Sequence, residues 1–180
     1  MKLATAANNT PDGMLVVSSN DGSRFLVPEN IQNLQQAIEN WDATEKRCQH
    51  LSQRLENGEG ESTDTLKIIA PLPRAWQWLD GSAFPSHGTL MQEAFKLPPL
   101  EYEKPLMYQG MSHIFYGPTD DVPFMREEEG IDFEGEFGVI VDDVPMGISS
   151  EDAMAHIKLL VQIKDWSLRT IAPVEMKTGF

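Results

Sequence analysis

Asp132-Phe133-Glu134-Gly135-Glu136-Phe137-Gly138-Val139-Ile140-Val141 reads as one β-strand, and its alternation decides what the chain can build. Successive side chains of a strand point to opposite faces, so Glu134 and Glu136 share one face while Phe133 and Phe137 occupy the other. The run Phe137–Val141 is apolar enough for a largely buried strand, which carries both carboxylates toward an interior or a cleft. At an effective dielectric of about 20, like charges about 5 Å apart repel by roughly 3 kcal/mol, which a divalent cation or protonation must relieve. A second apolar run, Leu159-Leu160-Val161-Gln162-Ile163, leads to Asp165, so a neighbouring strand can add a third carboxylate. Glu-x-Glu alone is more often a solvated strand face; the apolar context on either side gives it weight. Oxygen-only ligands favour magnesium, calcium or manganese over zinc.

Upstream, Met14–Val17 and Arg24–Val27 flank Ser19-Asn20-Asp21-Gly22, whose Asp-Gly pair predicts a tight hairpin and a β-structured N-terminus. Ile31, Leu34, Ile38 and Trp41, then Cys48, Leu51 and Leu55, recur at helical spacing. Asp42 with Glu45 predicts a capping box that restarts the helix, and Gly58 its end. The polar stretch Asn57–Asp64 reads as a linker. It divides the chain into residues 1–64, a β-rich module with a helix, and residues 65–180, a catalytic-type region. Leu66–Ala70 reads as a strand stopped by Pro71 and Pro73, with Trp76 and Trp78 as core packing. Ser149-Ser150-Glu151-Asp152 predicts a short helix before the strand that reaches Asp165.

With 180 residues, of which 41% are hydrophobic, the chain is long enough for one domain, or two small ones, with a real core. A net charge of −14 with no basic patch excludes nucleic acid as a partner. No apolar run is long enough for a membrane span, and Asn8-Asn9-Thr10 cuts short the apolar start, so the cytoplasm is the expected location. Cys48, the lone cysteine, reads as a buried packing residue. Asp120-Asp121, Glu127–Glu129 and Asp142-Asp143 read as solvated loops, Lys177 as a solvated charge, and His50, His113 and His156 as surface or packing residues.

Five segments in order, Asp80–His87, Pro105–Gly110, Gly130–Glu136, Asp143–Gly147 and Asp165–Arg169, resemble the fumarylacetoacetate hydrolase family in its bacterial fumarylacetoacetase-like branch. The likeness runs from about Ala4 to Phe180. It implies an α+β, mostly β fold: a small N-terminal β-rich module with a helix, joined to a partial mixed β-roll. It also implies a divalent cation, magnesium or calcium with manganese as a further option, held by Asp80, Glu134, Glu136 and Asp165. His87 would be the general base that activates water. Tyr108 and Arg169 would contact the substrate, with an Asp165–Arg169 ion pair as the structural alternative, and Gly110 would allow a close backbone approach.

The implied reaction is metal-dependent hydrolysis of a carbon–carbon bond in a small-molecule β-diketo acid, as in tyrosine catabolism. Ser82 stands where animal-type members carry an aromatic hydroxyl and Ala172 where they carry a glutamine, so substrate contacts should differ. In the family a lysine that stabilises the reacting substrate follows soon after a stretch like Glu175–Phe180, and a glutamate that orients the histidine comes later still. The C-terminal half of the catalytic domain is therefore expected beyond this chain. Two other readings stand beside the hydrolase: an inactive shortened relative that binds a divalent metal or ligand, and a keto-acid decarboxylase or isomerase on the same scaffold. Unpaired edges of a partial roll predict a homodimer or higher oligomer.

Overall fold

A computed structural model describes residues 1–96, 98, 104–111 and 113–178; of the Glu175–Phe180 stretch, Gly179 and Phe180 lie outside the described residues. The chain starts in β1 (Lys2–Ala6), which pairs antiparallel with β2 (Met14–Ser18), and β2 turns into β3 (Arg24–Leu26). The predicted turn forms with Gly22 at φ 79° and its N–H on the Ser19 carbonyl. Asp21 locks it by accepting from the Ser19 hydroxyl at 2.6 Å and the Ser23 N–H at 2.9 Å.

Two helices follow, α1 (Leu34–Glu39) and α2 (Trp41–Glu56). They break where expected but by a different cap. Asn40 leaves helical geometry, and its carbonyl accepts the Thr44 N–H, so the restart falls two residues before Asp42. Glu45 instead accepts from the Gln49 side chain. Beyond Asn57 and Gly58 (φ 90°) the chain turns back as β4 (Glu61–Ser62) on β3, and β5 (Ile68–Ile69) pairs with β1. The resulting five-stranded antiparallel sheet has the order β4-β3-β2-β1-β5. Leu15 and Val17 from the sheet meet Leu34, Ala37, Cys48, Leu51 and Leu55 from the helices in one buried cluster.

The second region contains β6 (Leu79–Ser82), α3 (Pro85–Phe95), β7 (Leu106–Gln109), β8 (Ile131–Val141), α4 (Ser150–Ala153), β9 (Ile157–Leu168) and α5 (Ala172–Met176). Ser149 caps α4 by accepting the Asp152 N–H. The architecture is α+β with more strands than helices among the described residues, and its antiparallel sheets curl as part of a β-roll. β6 pairs with β7, and β8 with β9, each in a two-stranded antiparallel sheet. At the far end of the long β8–β9 hairpin, Ile140 and Leu159 sit opposite each other and pack against the N-terminal core.

Alternation along β8 holds, but burial is one-sided. Glu134, Glu136, Gly138 and Ile140 are partly buried, whereas Phe137 is 77% and Val139 51% exposed. A two-stranded sheet has two faces, and on the apolar one the described chain leaves Phe137 and Val139 uncovered, which is why the expected largely buried strand is not seen. Trp78 is held in edge contacts by Tyr108 and Phe115, whereas Trp76 is 82% exposed rather than part of a core. No helix among the described residues is long and apolar enough to cross a membrane.

Because Leu15 is fully buried and Phe137 is not, their truncations should separate cleanly in this chain. Leu15→Ala should cost about 3 kcal/mol in urea unfolding and Phe137→Ser less than about 0.5 kcal/mol. Equal costs would mean the hairpin's apolar face is covered in solution.

Candidate functional site

The β8–β9 register places Glu134 directly opposite Asp165, with Glu136 one step along the same face. In the other pair, β6–β7, Asp80 lies opposite Tyr108. Helix α3 begins at Pro85, a residue suited to the first helical position, which puts His87 in its first turn. Two strand pairs and one helix thus turn their polar side chains to a common place.

Asp80, Glu136 and Asp165, all partly buried, each offer a carboxylate oxygen, and these oxygens lie within 4.8 Å of one another. Oxygens bound to one calcium ion at about 2.3–2.6 Å sit no more than about 5 Å apart across it, so the triangle and its donor chemistry fit such a cation. Tyr108 donates its hydroxyl to Asp80 Oδ2 at 2.7 Å. Glu134, expected beside the other three, is engaged on its own terms. Its Oε1 accepts from Arg169 Nη2 at 2.8 Å, and its Oε2 lies 3.6 Å from His87 Nε2. Arg169 Nε also donates to Asp132 Oδ2 at 2.9 Å.

The electrostatics follow from this crowding. Burial, then the charges of Asp80, Asp165 and Glu134, push the Glu136 carboxyl up to about 7. Burial and the charges of Asp80 and Glu134 raise Asp165 as well, against the opposing pull of Arg169 and a hydrogen bond from Tyr108. Arg169 and the Phe133 N–H hold Asp132 below the usual carboxylate range. Partial burial, the bond to Asp80 and the surrounding carboxylates drive the Tyr108 phenol far up, so it stays a proton donor.

Arg169 does not form a close ion pair with Asp165. Four residues along a strand span about 13 Å, so partners must come from across the ladder, where Asp132 and Glu134 stand. Asp132 is the residue that sequence reasoning missed, although the same alternation, taken one step earlier than Glu134, points to it. Gly110 is required as expected: a Cβ there would overlap the Trp78 ring that backs Tyr108. Asp142 is not merely solvated. Past the bulge at the other end of the hairpin it is bound by Lys158 at 2.9 Å and by His156.

Residues 1–74 match the family model for fumarylacetoacetase N-terminal domain 2, and residues 77–180 match that for the fumarylacetoacetate (FAA) hydrolase C-terminal region. The chain belongs to the fumarylacetoacetate hydrolase family. No curated protein matches it. The fumarylacetoacetate hydrolase scaffold carries hydrolase- or isomerase-type chemistry and often a divalent metal, and the Asp80–Glu136–Asp165 triangle is where this member could hold one.

The pH dependence has a defined sign. Between the ordinary 4.5 and about 7, folded Glu136 keeps a proton that the unfolded chain has lost, so its contribution to stability falls as pH rises. Glu136→Gln should therefore match the parent near about pH 4 and exceed it by about 1 kcal/mol near about pH 8, after allowance for solvent screening. Adding calcium or manganese should raise the parent's melting temperature at the higher pH and the variant's much less, as read by differential scanning calorimetry.

Proposed function

We propose that the chain hydrolyses a carbon–carbon bond in a small β-diketo acid, with a magnesium, calcium or manganese ion held by Asp80, Glu136 and Asp165 and water activated by His87. The observation that carries this is the meeting of three carboxylate oxygens within 4.8 Å with a histidine from α3 alongside, on a fumarylacetoacetate hydrolase scaffold. The cation, when bound, supplies Lewis-acid polarisation of the substrate's carbonyl oxygens.

His87 takes a proton as the water oxygen bonds to the ketone carbon, the role for which imidazole is the usual side chain near neutral pH. The adjacent carbon–carbon bond then breaks, its electron pair leaves on carbon as an enolate, and protonation of that carbon yields an acid and a ketone. Glu134, held by Arg169 and 3.6 Å from His87, stabilises the positive charge that the imidazole gains. Tyr108 and Arg169 are the polar groups that would meet the substrate.

The test is loss of a fumarylacetoacetate-like diketo acid by the purified chain, with manganese or magnesium and with chelator. Turnover should need the cation and fall by about 10²-fold or more in His87→Ala. Decarboxylation or isomerisation of an oxaloacetate-like acid, without diketone cleavage and without loss in His87→Ala, would move the chain to the keto-acid reading. Cation binding with neither activity would make it a binding protein.

The unpaired edges of the two-stranded sheets support a homodimer or larger assembly. Light scattering at micromolar concentration should give at least the dimer mass; a monodisperse monomer would contradict it.

A further inference from the structure

Strand register alone favours the other glutamate for the triangle. On one face of an antiparallel ladder, directly opposed residues have Cβ atoms about 4.5–5.5 Å apart and diagonal neighbours about 7–8 Å. Glu134 stands directly opposite Asp165, whereas Glu136 stands opposite Ile163 and only diagonal to Asp165. Yet among the described residues the carboxylates that converge with Asp80 are Glu136 and Asp165, not Glu134. A side-chain contact must hold the nearer glutamate away.

Arg169 makes that contact. Its backbone is fixed just past the end of β9, where its N–H donates to the Gly130 carbonyl at 2.9 Å. One edge of its guanidinium faces β8: Nε donates to Asp132 Oδ2 at 2.9 Å and Nη2 to Glu134 Oε1 at 2.8 Å. The planar fork thus spans two carboxylates that alternation sets on one face, and the bond to Asp132 keeps it from turning away from Glu134. The other Glu134 oxygen, Oε2, lies 3.6 Å from His87 Nε2. Both oxygens of Glu134 therefore face basic side chains of the chain itself.

We propose that Arg169 competes with the divalent ion for Glu134, keeping a fourth carboxylate out of the cation site and beside His87. This rests on the cation reading of the triangle proposed above. The number of charged ligands tunes the affinity of an oxygen-ligated divalent site, so withholding Glu134 leaves the site weaker than the face could make it. The same hold reserves Glu134 for the imidazole. Arg169 acts in two separable ways, as a positive charge near the ion and as a grip on one ligand. Asp132 separates them: it is exposed and lies one step further from the triangle, so neutralising it offsets the loss of the Arg169 charge and leaves Glu134 in place.

Calorimetric titration with manganese chloride at one fixed pH tests this, on the parent, on Arg169→Gln, and on Arg169→Gln combined with Asp132→Asn or with Glu134→Gln. Arg169→Gln should bind manganese about 10-fold or more tightly than the parent. Both double variants carry the parent's net charge, yet the gain should persist with Asp132→Asn and vanish with Glu134→Gln. Equal or weaker binding in Arg169→Gln, or a gain that both double variants keep or both lose, would overturn the competition while leaving the cation site standing. No manganese binding by the parent or any variant would overturn the cation reading and the competition with it. Should Arg169→Gln show no cooperative thermal melt, Arg169→Lys takes its place. A single ammonium keeps the charge but not the fork across two carboxylates, so binding should still tighten, and unchanged or weaker binding would overturn the competition.

Discussion

Everything at this site depends on the repulsion among carboxylates that strand alternation forces onto one face. Asp132, Glu134 and Glu136 follow one another down β8, and the register adds Asp165 directly across from Glu134. Like charges opposed across a ladder destabilise it, and partial burial of Glu134, Glu136 and Asp165 removes the water that would screen them. The face can exist only with compensation, and the structure supplies it unequally along its length. Arg169 answers Asp132 and Glu134 with two hydrogen bonds, whereas Glu136 and Asp165 receive none from it and show it in raised proton affinity.

That inequality needs a rigid frame, because an unanchored hairpin would twist to separate the charges. The frame is at the opposite end. Ile140 and Leu159, paired across β8 and β9, pack against the buried cluster of Leu15, Val17, Leu34 and their neighbours, so the N-terminal module fixes the hairpin from the side away from the chemistry. Asp142, Lys158 and His156 close the same end electrostatically. Although burial opposes it, the hydrogen bonds from Lys158 and His156 keep the Asp142 carboxyl below its ordinary range, the reverse of the outcome at Glu136. Burial raises the cost of charge at both ends, and the presence or absence of a basic neighbour decides which way each carboxylate goes.

How much of this was legible follows from what each feature depends on. Period-two alternation is local, so the shared face of Glu134 and Glu136 could be read directly, as could the Asp21-Gly22 turn and the Ser149 cap. The family likeness placed Asp80, His87 and Tyr108 near those carboxylates. Partners set by register were out of reach. Arg169 finds Asp132 and Glu134 through the antiparallel pairing, and no pattern within Asp165–Arg169 encodes that. The helix break was legible, but its cap was not, because Asn40 and the Asp42–Glu45 pair compete within three residues and tertiary packing of Trp41 decides between them. The exposure of Phe137 and Val139 could not be foreseen either, since an apolar run reports what a strand can bury and not what covers it.

The division of the face has a consequence for the ligand it can take. Where Arg169 neutralises Asp132 and Glu134, a second cation would gain little; where Asp80, Glu136 and Asp165 meet, three oxygens converge with a phenolic proton on Asp80. Three carboxylates exceed the charge of one divalent ion, so at full ionisation the loaded triangle still repels an anion. The proposed carboxylate-bearing substrate would therefore approach by its carbonyl oxygens, with its own acid group directed away from the triangle toward positive charge. On the described surface next to the site, that charge is Arg169, already shared between two acids, and His87 when it holds a proton. In the proposed reaction a protonated His87 would welcome the acid but could not take a proton from water, so substrate binding and base catalysis would make opposite demands on one imidazole.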